Sequence, residues 1–281
     1  MTTGALIFAQ NNEKIDYVKL AGFCASRIKE HLDIPVSVVT DSPDWLHESQ
    51  PADLFDKVIT IDGEHSQNKR FYDSSMSSNI LRWKNFSRFE AYQLTPYDNT
   101  LLLDSDFIIN SPLLKKAFDR EYDFQLYRNS FELSGWRSNS EFERINQFSI
   151  PFYWATVAFF RKSQVVESFF DLVSYIKDNW LYFRMLYNID SELYRNDFSF
   201  SIAAHIMNGK TNGEFVADLP GKMTYTLDRD ILLECADNKM KFLVEKRDHL
   251  GEYIAVKTCN MDVHVMNKSS LIRFINGGSG V

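Results

Sequence analysis

Cysteine is scarce: the 281 residues hold three, Cys24, Cys235 and Cys259, widely spaced and without a C-x-x-C pair. An odd, scattered set excludes a disulfide framework and a structural zinc site, and points to a reducing compartment. Long apolar runs are missing too. No segment approaches the ~18 consecutive apolar residues of a membrane span, and Met1-Thr2-Thr3-Gly4 lacks the basic opening of a secretory leader, so a soluble, cytoplasmic chain is expected. Positive charge is in deficit, with 31 Lys and Arg against 38 Asp and Glu and a net charge of -7. That excludes a surface gripping nucleic acid throughout and leaves only a local basic groove. No repeat and no Pro/Gly/Ser linker divides the chain, which predicts one domain over residues 1–276. Gly277 to Val281 has the composition of a flexible tail.

Apolar and aromatic residues are plentiful, at 44% and 15%, enough for a large core. The most informative stretch is Asp104-Ser105-Asp106, which ends the hydrophobic run Thr100 to Leu103. That run reads as a short buried strand delivering both acids to its C-terminal edge, where open α/β sheets bind ligands. Residues i and i+2 of a strand point the same way, so the carboxylates either share a partner or repel. A hard divalent cation, Mg2+ or Mn2+, resolves that conflict and keeps positions open for phosphate oxygens. A solvated turn at a strand end is the plainer alternative.

Around this strand the pattern is α/β. Gly4 to Ala9 reads as a strand, Lys14 to Leu32 as a helix, Pro35 to Thr40 and Lys57 to Ile61 as strands, and Asn79 to Leu94 as a helix stopped at Thr95-Pro96. The polar stretch 63–78 and the segment 130–149 read as loops able to close over a site. Further on, Tyr153 to Arg161 is strand-like, Gln164 to Tyr187 one long helix, Phe198 to Met207 another, and Gly213 to Lys257 alternates short strands with turns. The expected fold is a mixed, mainly parallel central sheet flanked by helices, in a nucleotide-binding-like first half (1–110) and a less regular second half (111–276).

The βαβ unit, the basic residues Arg82, Lys84 and Arg88, the Thr95-Pro96-Tyr97-Asp98 turn and the D-x-D together resemble the GT-A fold glycosyltransferases, retaining family-8-like enzymes among them. The resemblance covers roughly residues 4 to 162. It implies a metal-dependent transfer of a hexosyl or pentosyl group from a nucleoside-diphosphate sugar to an acceptor hydroxyl, with Mn2+ or Mg2+ as cofactor. By the same resemblance Asp104 and Asp106 hold the ion, a late histidine on Met261 to Val265, His264, completes its shell, and Lys268 holds the diphosphate. Ala9 and Asn11 would cradle the base, Asp104 would also reach the ribose, and Arg82, Lys84 and Arg88 would approach the nucleotide. Asp197, with Glu192 and Asp190 as backups, would contact the donor sugar or deprotonate the acceptor.

Plainer readings accompany these. Ala9 and Asn11 also fit an ordinary strand-to-helix turn; Lys84 and Arg88, at i and i+4, fit a solvated helix face. Asp197 fits a helix N-cap, and His264 between two valines fits a core histidine. Trp136, Tyr153 and Trp154 fit either an acceptor platform or the core. Two departures stand out: Trp154-Ala155-Thr156-Val157 replaces the family's asparagine-threonine-glycine strand, and Asn267-Lys268-Ser269 replaces a K-P-W triplet. Short chains of this kind also resemble bacteriophage proteins, so the acceptor is either a glycan or a hydroxymethylated base in DNA, the latter needing a basic strip such as Lys69-Arg70 with Arg137, Arg144 and Arg161. Competing readings are a haloacid-dehalogenase-type phosphatase, with Asp104 to Ile108 as nucleophile loop and Asp228-Arg229-Asp230 as later acids, and a GT-A-like binding protein without turnover.

Overall fold

A computed structural model describes residues 1–62, 69–71, 80–82, 84, 87–135, 142–146, 149–211, 213–246 and 249–277, the segments 69–71 and 80–82 as backbone only. The first half runs β1 (Thr3–Phe8), α1 (Tyr17–Leu32), β2 (Val36–Thr40), α2 (Pro43–Ser49), β3 (Lys57–Thr60), β4 (Lys69–Phe71), β5 (Ile80–Arg82), a 3-10 turn (Ser87–Glu90), α3 (Ala91–Leu94), β6 (Asn99–Asp104) and β7 (Phe107–Ile108). Next come α4 (Lys115–Asp119), β8 (Phe124–Tyr127), β9 (Ser130–Glu132), β10 (Trp154–Arg161), α5 (Gln164–Asp178), α6 (Trp180–Leu186) and α7 (Asn196–Met207). The chain ends with β11 (Ala217–Asp218), β12 (Met223–Tyr225), β13 (Ile231–Ala236), β14 (Lys239–Lys246), β15 (His249–Cys259), β16 (Val263–His264) and α8 (Lys268–Ile275).

Seven strands form the central sheet in the order β11-β8-β10-β6-β1-β2-β3. All its pairs are parallel except those of β10, which runs antiparallel to both β6 and β8. The expected mixed, mainly parallel sheet flanked by helices is therefore the fold. β6 and β1 lie side by side in its middle, and Leu101 to Leu103 and Ala5 to Ile7 are wholly buried. Strands covered on both faces need such uninterrupted apolar runs. Gly4 is required by its neighbour: a Cβ there would sit 2.4 Å from the Tyr97 ring. On one face, Phe124, Phe160, Phe169, Phe170 and Phe200 are buried where the sheet meets α5 and α7, the rings of Phe124 and Phe169 4.3 Å apart; Phe159, on the opposite face, packs on Phe118 of α4.

A second sheet, β7-β16-β12-β9, begins where β6 ends, and β13-β14-β15 form a third, antiparallel one. β7 leaves the central sheet directly after the D-x-D turn and pairs antiparallel with β16, setting Phe107 opposite His264. That pairing carries the C-terminal part of the chain to the end of β6.

Several expectations are corrected. Residues 79–94 are not one helix: Ile80–Arg82 is a strand paired with Lys69–Phe71, within a stretch read as loop, and only a 3-10 turn and four α-helical residues follow from Ser87. The long helix from Gln164 breaks at Asn179, which ends α5 and precedes α6. Residues 239–259 form two long paired strands rather than short ones. Trp136, Arg137, most of the loop 63–78, part of 130–149 and residues 278–281 of the tail lie outside the described residues, as does the Arg82 side chain.

Candidate active site

Asp104 closes β6 opposite Phe8 of β1, and Asp106 follows across a tight turn. The backbone of that turn is tied to the C-terminal segment, because Asp106 accepts at its carbonyl from the Val265 N–H at 2.9 Å. With β16 held there, His264 Nε2 lies 3.2 Å from Asp106 Oδ1 and Lys268 Nζ 2.9 Å from Asp106 Oδ2. Lys268 is the first residue of α8, whose cap is Asn267 accepting from the Ser270 N–H at 3.0 Å. A helix N-terminus disfavours a cation. A buried lysine there needs an anion, and Asp106 provides it.

Asp104, Asp106 and His264 each offer a ligand atom, and those atoms all lie within 4.8 Å of one another. The Nδ1 of His264 is buried with no hydrogen-bond partner among the described residues. Two carboxylates and an imidazole whose Nδ1 is buried without a partner among the described residues are a donor set that fits a divalent cation.

The electrostatics of the two acids differ. Burial works to raise the Asp106 carboxyl, but the charges of Lys268 and His264 and their hydrogen bonds outweigh it and hold the acid below the usual carboxylate range. Asp104 is pushed up, first by desolvation and then by the charge of Asp106, with Arg88 opposing. Its partner is deeply buried: Arg88 Nη2 donates to Asp104 Oδ1 at 2.8 Å and to the Thr156 carbonyl at 3.2 Å, and Nη1 donates to the Ala155 carbonyl. One guanidinium thus bridges the end of β6 to β10, a geometry that suits a planar fork.

These groups line a cavity of about 420 Å³ that also exposes Phe8, Tyr17, Phe142, Trp154, Tyr194, Arg195 and Asp197. Asp197, in the first turn of α7, accepts from the Ala155 N–H at 2.9 Å through Oδ1 and pairs with Arg195 at 2.7 Å through Oδ2. It does not cap its own helix; the N-cap is Arg195. Its carboxylate instead fastens α7 to β10 beside the cavity.

Other expected residues fall elsewhere. Ala9 spends its N–H on Val39 and its carbonyl on the Thr40 hydroxyl. Asn11 accepts from the Val18 N–H and donates to Asp16, fixing the start of α1. The cavity wall contains their neighbours Phe8 and Tyr17 instead. Lys84 pairs with Asp41 at 3.1 Å, so it and Arg88 do not share a helix face. Glu192 is exposed near Arg184 and, like Asp190, is not part of the wall, which takes Ser191 and Leu193 from the same segment. Trp154 is buried core with one edge on the cavity, and Tyr153 is buried beneath it. Tyr194, Arg195 and Phe142 were not singled out from the sequence, where nothing marks them apart from other aromatic and basic residues.

No protein-family model and no curated protein matches the sequence. Solved structures with a similar chain path include the galactosyltransferase LgtC in complex with donor and acceptor sugar analogues, at 12% identity and TM-score 0.49 over 76% of this chain and 72% of that one. An active-site mutant of LgtC is similar at 12% identity and TM-score 0.48 over the same shares. The glycosyltransferase GlyE of Streptococcus pneumoniae TIGR4 matches at 13% identity and TM-score 0.43, over 78% of this chain and 45% of its own.

Proposed function

We propose that this chain is a metal-dependent glycosyltransferase of the GT-A type, moving a sugar from a nucleoside-diphosphate sugar to an acceptor hydroxyl. The observation that carries the reading is the convergence of Asp104, Asp106, His264 and Lys268, from two distant parts of the sequence, at one cavity. Asp104, Asp106 and His264 would hold Mn2+ or Mg2+, the imidazole nitrogen favouring Mn2+ over an all-oxygen Mg2+ site. When bound, the ion supplies positive charge to the leaving diphosphate. Lys268 adds a second cation beside it, aimed where negative charge grows as the glycosidic bond breaks. Arg88 keeps Asp104 in position. Asp197, with both oxygens engaged, serves to orient a sugar hydroxyl, and Glu192 has no role from its outward position.

The acceptor favoured here is a glycan hydroxyl. Among the described residues, Arg161 donates through Nη2 to the carbonyls of Phe118 and Arg120, and Arg144 through Nη1 to that of Ser149, so both arginines serve to anchor the chain locally. The phosphatase reading needs later acids beside the D-x-D turn, and neither Asp228 nor Asp230 lines its cavity. Asp230, one of its later acids, accepts amides of Leu227 and Glu245 instead.

Isothermal titration with UDP and GDP tests the reading. One nucleotide should bind only with Mn2+, and Asp106→Asn or His264→Ala should abolish that Mn2+-dependent binding. If neither nucleotide binds wild type in saturating Mn2+, the proposal fails.

A further inference from the structure

α6 breaks the usual rule for a surface helix. Its sequence, Trp180-Leu181-Tyr182-Phe183-Arg184-Met185-Leu186, is apolar almost all round. Phe183 faces inward and is buried. Leu181 and Met185, and Tyr182 and Leu186, are pairs four residues apart on the opposite side, and they are 66%, 73%, 62% and 59% exposed. Tyr175 at the end of α5, 58% exposed, extends the patch, its ring 5.9 Å from that of Phe183. A helix apolar on every side is normally covered on every side.

We infer that this face is a homodimer interface, in which α6 of one chain packs against α6 of a second copy. Size is the first argument: the five side chains expose roughly 600 Å², the upper end of what a monomer leaves open and about three quarters of the ~800 Å² each partner gives to a stable interface. Composition is the second. Tyr, Met and Leu without a charged residue on the face match the core of an interface rather than its rim, and two i, i+4 pairs form the ridges that let two helices interdigitate. Charge is the third, and it decides against a membrane. Asp171, Asp178, Asp190 and Glu192 are exposed along α5 and after α6, while the basic Lys177 and Arg184 are largely covered. Anionic lipid would be repelled by such a border; in a two-fold pairing the same acids stay at the solvated rim, where salt screens their mutual repulsion. Because the segment after α6 supplies Ser191, Leu193, Tyr194 and Arg195 to the cavity wall, the interface would lie behind each cavity's rim.

The inference is independent of the chemistry proposed above. Sedimentation velocity of the full chain from 1 to 100 µM should give a species of twice the 32.8 kDa chain mass, and Met185→Asp with Leu181→Asp should raise the dissociation constant at least tenfold while leaving the circular dichroism spectrum unchanged. As a check that does not depend on those variants folding, Leu181→Cys and Met185→Cys in a Cys259→Ser background should cross-link oxidatively. A chain that stays monomeric at 100 µM overturns the inference, as does a dimer in which neither cysteine cross-links. A monomer that instead cosediments with phosphatidylcholine and phosphatidylglycerol vesicles also overturns it, assigning the face to lipid.

Discussion

Arg88 and Asp104 form an ion pair at the end of the D-x-D strand, and the same guanidinium ties that strand to its antiparallel neighbour: it meets the carboxylate at 2.8 Å and two carbonyls of the β10 segment besides. Arg88→Ala strips the carboxylate of its counter-charge and removes a donor from two carbonyls, those of Ala155 and Thr156. Because the Asp104 side chain keeps 35% of its surface in contact with water, the cost falls short of that of a fully buried pair and is about 1–3 kcal/mol. Urea denaturation should show a loss of that order, and Arg88→Lys, a point charge that cannot reach three acceptors at once, should recover less than half of it.

Lys268→Met leaves Asp106 buried with only His264 beside it. The apo protein should lose several kcal/mol of stability, here on the scale of a broken buried pair. If the three ligands hold a cation, saturating Mn2+ should restore more melting temperature to this variant than it adds to wild type. Differential scanning fluorimetry with and without Mn2+ makes the comparison.

Asp230 is buried, and its carboxyl is pushed up from 3.8 to about 6, first by desolvation and further by Glu132, against the amides of Leu227 and Glu245 that lower it. An acid whose folded value lies above its unfolded one contributes stability at low pH and loses it as pH rises. Here the loss runs from about pH 4 to pH 6. Asp230→Asn mimics the protonated form, so relative to wild type it should gain on the order of 2 kcal/mol across that window. Denaturant midpoints at pH 4, 5, 6 and 7 would show this, and parallel curves for the two proteins would refute it.

Gly4→Ala places a methyl group 2.4 Å from the Tyr97 ring, whose hydroxyl is fixed by Ser37 at 2.7 Å. The ring cannot retreat without giving up that bond. Overpacking of this kind costs about 1–3 kcal/mol, to be read from thermal melts; double substitution with Tyr97→Leu should recover part of it.

Asp197→Asn keeps an acceptor for the Ala155 N–H but loses the ion pair with Arg195. Donor hydrolysis should fall at least tenfold with the melting temperature shifted by only a few degrees. A variant as active as wild type would remove Asp197 from the site.

The parallel core was legible because β1, β2 and β6 are buried on both faces and so must be apolar along their whole length. The D-x-D was legible because it ends such a run. His264 and Lys268 could be named only through a family resemblance, since what brings them to Asp106 is the pairing of two-residue strands, too short to leave a periodic pattern. Arg88 illustrates the opposite failure: its i, i+4 spacing with Lys84 suggested a basic helix face, yet the chain there is a 3-10 turn and the arginine points inward. Helical spacing in sequence carries no mark of a missing helix. Asn11 and Ala9 lie outside the cavity lining for a related reason, since strand alternation and the first turn of α1 select their neighbours Phe8 and Tyr17.

The pairing of β7 with β16 also bears on synthesis at the ribosome. The acids at the end of β6 emerge well before the histidine and lysine that balance Asp106, so a nascent chain has only Arg88 to offset the two adjacent anions until β16 and α8 have docked. Nonsense mutations between positions 219 and 263 would therefore leave the central sheet's sequence intact while removing both cationic partners of Asp106.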